Sequence, residues 1–342
     1  MRCAILLAVL AAIGGCDRRQ PPRVFVSDER GDHVIALEPG NGNVVASIAA
    51  GRRPRGIHLS PDGTTLYVAI SGSPIGGPGV DESKLPPADR RADGIAVIDT
   101  ATLRVRRVLP AGTDPETFTV SLDGKTLFVS NEDASEVSAV DAAGVLPTRS
   151  GKVGDQPEGI AVTRDGKRVF VACEGADAVL MLDASTLRQR ASTAIAGRPR
   201  GLFAAADGSV IYVSVEFGGK LAVLDARNGH LIRLIDLARG DEMVRPMGIV
   251  EGPDGGKVYV STGRAGAVLE VDPTKGTVVR RFDHVGSRPW GMALSSDGRT
   301  LFTANGPWHD PSGGVSSIRL SDGTIQASWR IGSGPWGVTA SR

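Results

Sequence analysis

Short apolar runs alternate along this chain with clusters of Gly, Asp, Ser and Pro, a texture of many strands and tight turns. One stretch shows the whole pattern. Gly159-Ile160-Ala161-Val162-Thr163 alternates as an inner strand, and Asp165-Gly166 supplies a turn in which glycine accepts positive φ. Val169-Phe170-Val171-Ala172 reads as a second strand, Ala178-Val179-Leu180-Met181-Leu182-Asp183 as a third, and a variable segment over 189–195 as a fourth. Such a sheet is too small to bury both its faces, so copies of it must stack.

The copies are visible. Pro54-Arg55-Gly56, Pro115-Glu116-Thr117, Pro157-Glu158-Gly159, Pro199-Arg200-Gly201, Pro246-Met247-Gly248, Pro289-Trp290-Gly291 and Pro335-Trp336-Gly337 open successive units, the first six followed by an Asp-Gly turn. Successive prolines lie 61, 42, 42, 47, 43 and 46 residues apart, the period of a propeller blade. Residues 23–50 carry the later strands of a unit without its first strand, while Gly337-Val338-Thr339-Ala340 is a first strand alone. Joining the two ends in one blade completes seven and removes an open sheet edge. An all-β, seven-bladed propeller over residues 23–342 is therefore expected, closed by N-terminal strands pairing with the C-terminal strand.

The strand-turn-strand signature, with Val97-Ile98-Asp99-Thr100-Ala101-Thr102, resembles the YVTN-type propeller repeat over essentially all of residues 23–342. Within that group the chain is similar to seven-repeat propellers associated with PQQ-dependent alcohol catabolism. The likeness is carried by residues 51–63, Pro115-Glu116 with Ser130-Asn131-Glu132-Asp133, Arg245-Pro246 onward and Pro335-Trp336-Gly337-Val338. The resemblance implies a periplasmic helper near a quinoprotein dehydrogenase and a transport system, without defining a molecular activity. Three loops depart from the pattern, at 72–93, 240–243 and 306–311, and are expected on one rim.

Met1-Arg2 and the apolar run Cys3 to Ile13 have the layout of a signal peptide over residues 1–15 and are too short to span a bilayer. Ile13-Gly14-Gly15-Cys16 resembles a lipoprotein cleavage box, which would make Cys16 the lipidated first residue and residues 16–22 a tether; plain cleavage with a soluble product is the rival. The expected setting is the periplasm or cell envelope. Without residues 1–15 the chain holds 38 basic and 38 acidic side chains, so no basic field exists for nucleic acid. Cys173 stands alone, and stability must come from packing rather than a disulfide.

Candidate chemistry gathers at one end of the channel, which the first strands line. The residues after the repeat prolines are Arg55, Glu116, Glu158, Arg200, Met247, Trp290 and Trp336. Those following second strands include Glu29, Asn131, Glu132, Glu174, Glu216 and Asn305, and Trp308 lies in the sixth-blade loop. Together they suggest a small-ligand or protein-partner site, with tryptophans as stacking surfaces and glutamates as acceptors. The bland alternative is a solvated rim balanced by local arginines. The five histidines lack metal-ligand spacing, and no haem, EF-hand, Walker or nucleophile-elbow motif occurs, so neither a metal nor another cofactor is expected. The leading expectation is a non-enzymatic, monomeric binding propeller. A metal-dependent lactonase-like hydrolase, with Asn131, Glu132, Glu174 and Glu216 as ligands, and an envelope scaffold or adhesive protein are the alternatives.

Overall fold

The structure, a computed structural model, describes residues 21–76, 80–306 and 313–341. The expectations for residues 1–15, Cys16 and Trp308 lie outside these residues. The described strands form seven antiparallel four-stranded sheets, with two single-turn 3-10 helices at Glu82–Lys84 and Arg90–Ala92 inside the 72–93 insertion. The chain is a seven-bladed propeller. Blades 1 to 6 occupy residues 57–109, 115–152, 157–194, 199–236, 246–282 and 289–330; blade 7 joins 335–340 to 24–49.

Period-two alternation in the second strand of each blade sends neighbouring side chains into opposite inter-blade layers. Phe25, Tyr67, Phe128, Phe170, Tyr212, Tyr259 and Phe302 hold one aromatic at the same place in every blade, all buried. Each packs into the apolar layer shared with the following blade. Tyr67 lies with Phe118, Leu127 and Val129 of blade 2, and Phe128 lies with Ile160 and Val169 of blade 3. Phe25 does the same across the closing seam, against Ile57, Leu66 and Val68 of blade 1. The seam is packed like the other interfaces.

The inner strands are joined by a second device. Ser27, Ser130, Ser214 and Ser261, all fully buried, donate to the carbonyls of Arg55, Glu158, Met247 and Trp290 in the next blade, at 2.6, 2.5, 2.6 and 2.7 Å. Alanine takes the place in the other three blades, as Ala69, Ala172 and Ala304. The glycine of Pro-x-Gly permits the approach: a Cβ on Gly159, Gly201 or Gly248 would fall 1.9, 2.2 or 2.5 Å from the carbonyl oxygen of Arg200, Met247 or Trp290. In six blades the residue after the repeat proline lies in a β-bulge; in blade 3 residues 158 and 159 both oppose 172. The bulge takes that residue out of the pleat and re-aims its side chain towards the channel mouth.

Closure rests on Pro335–Ala340 pairing with Val24–Asp28, Val24 opposite Ala340 and Val26 opposite Val338. The Asp28 carboxylate, 4% exposed, accepts the backbone N–H groups of Ser333 and Gly334 at 3.0 and 2.5 Å. Asp28→Ala leaves both donors without that acceptor, and a buried unmet donor costs about 1–3 kcal/mol. Urea unfolding should show a loss of unfolding free energy of about that size, with hydrogen exchange rising first in residues 335–340; an unchanged midpoint would refute the clasp.

Candidate functional site

Three positions of the repeat converge at the end of the channel where second strands finish and first strands begin. The N–H groups of Glu29, Glu132, Glu174, Glu216, Gly263 and Gly306, each following a second strand, donate to the carbonyls of Gly334, Asp114, Gln156, Arg198, Arg245 and Arg288. Those acceptors precede the repeat prolines. A residue before proline is excluded from the right-handed helical well, and Arg53, Asp114, Gln156, Arg198, Arg245 and Arg288 adopt left-handed φ between 44° and 66°. This third position supplies four arginines to the mouth. Unaligned, these arginines look like scattered surface charge; their signal is arginine before the repeat proline in four of the seven copies.

Blades 7, 1 and 2 form a closed sector. Arg55, 2% exposed, pairs with Glu116 and with Asp114 at 2.5 Å, and lies 3.8 Å from Glu132. Arg53 pairs with Glu29 at 2.9 Å and donates to the carbonyls of Ser73 and Pro74, while Arg90 reaches Asp133. These contacts fold the first-blade insertion onto this sector, on the rim expected for it. Burial pushes the Asp114 carboxyl up, but Arg55, Ser71 and Arg53 outweigh it and hold the group below the usual range. Glu132 is raised, by burial and then by Asp114 and Glu174, against the pull of Arg55.

Blades 3 to 7 present the open sector. Arg200 lies between Glu158 at 2.7 Å and Glu216 at 2.9 Å, with Glu174 at 3.7 Å. Arg198 pairs with Glu174, and Arg245 with Glu216 at 3.3 Å. The guanidiniums of Arg200 and Arg288 lie 4.8 and 4.1 Å from the Trp290 ring, and Trp290 lies 5.6 Å from Trp336 at an interplanar angle of 31°. Both tryptophans are half-buried. On the rim, Phe217 is 58% exposed beneath Arg198 and Arg245, beside a pocket of about 450 Å³ that Glu174, Gln156 and Asp177 also line.

Glu158 and Glu174 both lie against Arg200, and their surroundings drive their carboxyl groups apart. Burial, then the charge of Glu174, raises Glu158 well above the ordinary carboxyl range. Burial acts on Glu174 too, but Arg200, the Glu158 hydrogen bond and Arg198 prevail and bring it down to about 2. Arg288 is brought down to about 9, by burial and then by repulsion from Arg200.

Arg55, Glu116, Glu132, Glu158, Glu174, Arg200, Glu216, Trp290 and Trp336 thus meet at the mouth, divided between two sectors. Asn131 and Asn305 do not join them. Both side chains are buried within their blades, donating to Ser138 and Ser316 at 2.9 Å. Alternation explains this, since the residue after Asn131 is the one at the mouth. Met247 is 2% exposed and contributes packing. The metal quartet of Asn131, Glu132, Glu174 and Glu216 does not assemble: arginines stand among the glutamates, and among the described residues no three His, Cys, Asp or Glu side chains converge for an ion. Cys173 is buried, its thiol pushed up to about 11 by burial, which disfavours the reactive thiolate.

No protein-family model matches the chain. A stretch of 108 residues is 29% identical to the uncharacterized protein YncE of Salmonella typhimurium, covering 32% of this chain and 25% of that protein, so the match spans a quarter of the relative's length. Among solved structures, the periplasmic gluconolactonase PpgL of Pseudomonas aeruginosa superposes with a TM-score of 0.72 at 20% identity, over 94% of this chain and 99% of that one. A functionally unknown protein from Desulfotomaculum acetoxidans gives 0.75 at 15% identity, over 94% and 99%. Hydrazine synthase of Kuenenia stuttgartiensis gives 0.66 at 22%, over 84% and 89%. At these identities the likeness is one of fold.

A carboxyl whose folded pKa is raised stabilises the fold below its unfolded pKa, and that contribution is lost as pH rises through the folded value. Glu158 is such a group. Glu158→Gln keeps a donor for Glu174 and an acceptor for Arg200 without the ionisation cost. Its melting temperature should match wild type in acid and exceed it in alkali; parallel pH curves for the two proteins would refute the raised Glu158 pKa.

Proposed function

We propose that the protein is an exported binding propeller that takes a small organic molecule at the open sector of its channel mouth, beside a periplasmic oxidation system. The observation that carries the binding site is the half-exposed Trp290–Trp336 pair with Arg200 and Arg288 against the Trp290 ring. Aromatic faces backed by guanidiniums at a channel mouth suit recognition of a ligand that is flat and polar at its edge. Export, with Cys16 as the lipid anchor, is supported by the apolar run of residues 3–13 and the Gly14-Gly15-Cys16 box. The link to a quinoprotein pathway is supported by the resemblance to the seven-repeat propellers associated with PQQ-dependent alcohol catabolism. Small molecules retained from an envelope extract should be detected by native mass spectrometry on the wild type and lost with Trp290→Ala/Trp336→Ala. Equal retention by a folded double variant would count against the site.

A second reading, lactone hydrolysis, is favoured by the Glu158–Glu174 pair. Two adjacent carboxyls driven apart in pKa are suited to an acid and a base in one reaction. Glu174 would take a proton from the attacking water, Glu158 would protonate the departing ring oxygen, and Arg200 would face the oxyanion. One solved neighbour carries the name gluconolactonase. On this reading Glu174→Gln lowers δ-lactone turnover by about a hundredfold or more; a rate equal to the uncatalysed one in wild type would eliminate it.

A further inference from the structure

The face opposite the mouth carries an apolar projection on blade 2. Third strands end on this face, and the blade-2 turn between third and fourth strands spans residues 142–148, longer than the corresponding turn of any other blade. In blade 3 that turn tucks Leu187 into the inter-blade layer. In blade 2 Val145 and Leu146 are 80% and 69% exposed instead, the two most exposed large apolar side chains among the described residues. They are held in place. The Asp141 carboxylate accepts the backbone N–H groups of both, at 2.8 and 2.9 Å, Gly144 takes a left-handed φ of 69°, and the Thr148 hydroxyl donates to the Pro110 carbonyl at 3.0 Å. Leu122, 53% exposed, lies in the adjacent turn between first and second strands, tied to this one by the Ala142 N–H on the Lys125 carbonyl at 2.9 Å. Residues 121–126 and 141–149 hold Asp123 and Asp141 against Lys125 and Arg149, so the projection is apolar without net charge.

The same face receives the N-terminal end of the propeller. The second strand of blade 7 begins there, at Val24, and Ser341 clasps Arg23: its Oγ accepts the Arg23 N–H at 2.9 Å and its own N–H donates to the Arg23 carbonyl at 2.8 Å. Seven residues along the chain separate Arg23 from Cys16, a reach of about 25 Å at most. A lipid on Cys16 therefore keeps Arg23 within that distance of the bilayer. We infer that the propeller docks on the membrane surface through this face, with Val145, Leu146 and Leu122 entering the boundary between headgroups and acyl chains and the channel mouth turned to the aqueous side. This rests on the reading of Cys16 as the lipid anchor and adds a second contact to it. A single attachment point fixes no orientation, whereas three apolar side chains on one corner do, and a lipid chain with a second membrane signal anchors far more firmly than the chain alone. Because the turn is already ordered, its insertion forfeits little conformational freedom. The balanced charge of the two turns makes the contact apolar rather than a headgroup attraction.

The test uses the full chain produced in a lipidating bacterial host and reconstituted into phosphatidylcholine vesicles, with a fluorescent thiol label at Leu146→Cys, at Leu122→Cys or, on the mouth rim, at Phe217→Cys. Cys173 is buried and leaves the introduced thiol as the reactive one. Lipid carrying a nitroxide on its acyl chain should quench the labels at 146 and 122 about twofold or more, the response of groups at the acyl boundary, and leave the label at 217 bright. Val145→Asp/Leu146→Asp, read through the label at 122, should lose the quenching while its melting temperature stays that of wild type. Mixing phosphatidylglycerol into the vesicles should change none of this. Intact mass reports Cys16 separately: a chain without acyl groups there overturns the anchor reading and the inference with it. An acylated chain whose label at 146 stays bright overturns the docking face and leaves the anchor standing, and quenching at 217 overturns the orientation. Undiminished quenching in the double aspartate variant overturns the part given to Val145 and Leu146. Quenching confined to vesicles with phosphatidylglycerol overturns apolar insertion. Self-quenching at 146 that grows with protein density, without quenching by nitroxide lipid, assigns the face to a second copy of the chain and overturns the membrane contact.

Discussion

The structure depends on blade-to-blade stacking. No four-stranded sheet here buries both faces alone, and each depends on the aromatic that its neighbour pushes into the shared layer. That dependence makes closure a condition of stability rather than a finishing touch, because a ring with one open seam would expose two apolar faces at once. The seam between blades 7 and 1 is filled by Phe25 as the others are filled by their Phe or Tyr. It is further held by the Asp28 carboxylate on the Ser333 and Gly334 amides.

Much of this was legible in the sequence because a repeat averages out local ambiguity. A single apolar run such as Val169-Phe170-Val171-Ala172 does not identify its partners, but seven such runs at a common spacing do. Blade count, strand count and the pairing of the two ends follow from that register. The mouth was legible only in part. Residues beside the repeat prolines could be grouped because proline marks the start of the inner strand. The side on which a strand-end residue emerges depends on a one-residue phase, so Asn131 and Glu132 were grouped although alternation separates them. The arginines before the prolines were missed because their role comes from a left-handed backbone that residue type does not announce.

The electrostatics of the mouth follow from the same geometry. Carboxylates brought together by sevenfold repetition would repel, by about 2 kcal/mol per pair at ~8 Å and an effective dielectric near 20. The chain answers in two ways. Arginine from the position before proline neutralises Glu29, Glu174 and Glu216, and arginine from the position after it, Arg200, pairs with Glu158. The result is a mouth of two halves: one closed by Arg55 and by Arg53 on the Ser73 and Pro74 carbonyls, the other carrying half-buried rings and guanidiniums.

The inner ring is tied together through main-chain oxygens. In four of the seven blades the carbonyl of the residue after the repeat proline accepts from a serine hydroxyl of the neighbouring blade, and this bond is indifferent to what hangs from the Cα. Arginine, glutamate, methionine and tryptophan occupy that station in a single chain. The scaffold therefore works as a mount with seven sockets whose main-chain fastening does not specify the side chain, so the cost of a swap is set by the neighbours, high at the buried Arg55 and low at a half-exposed ring.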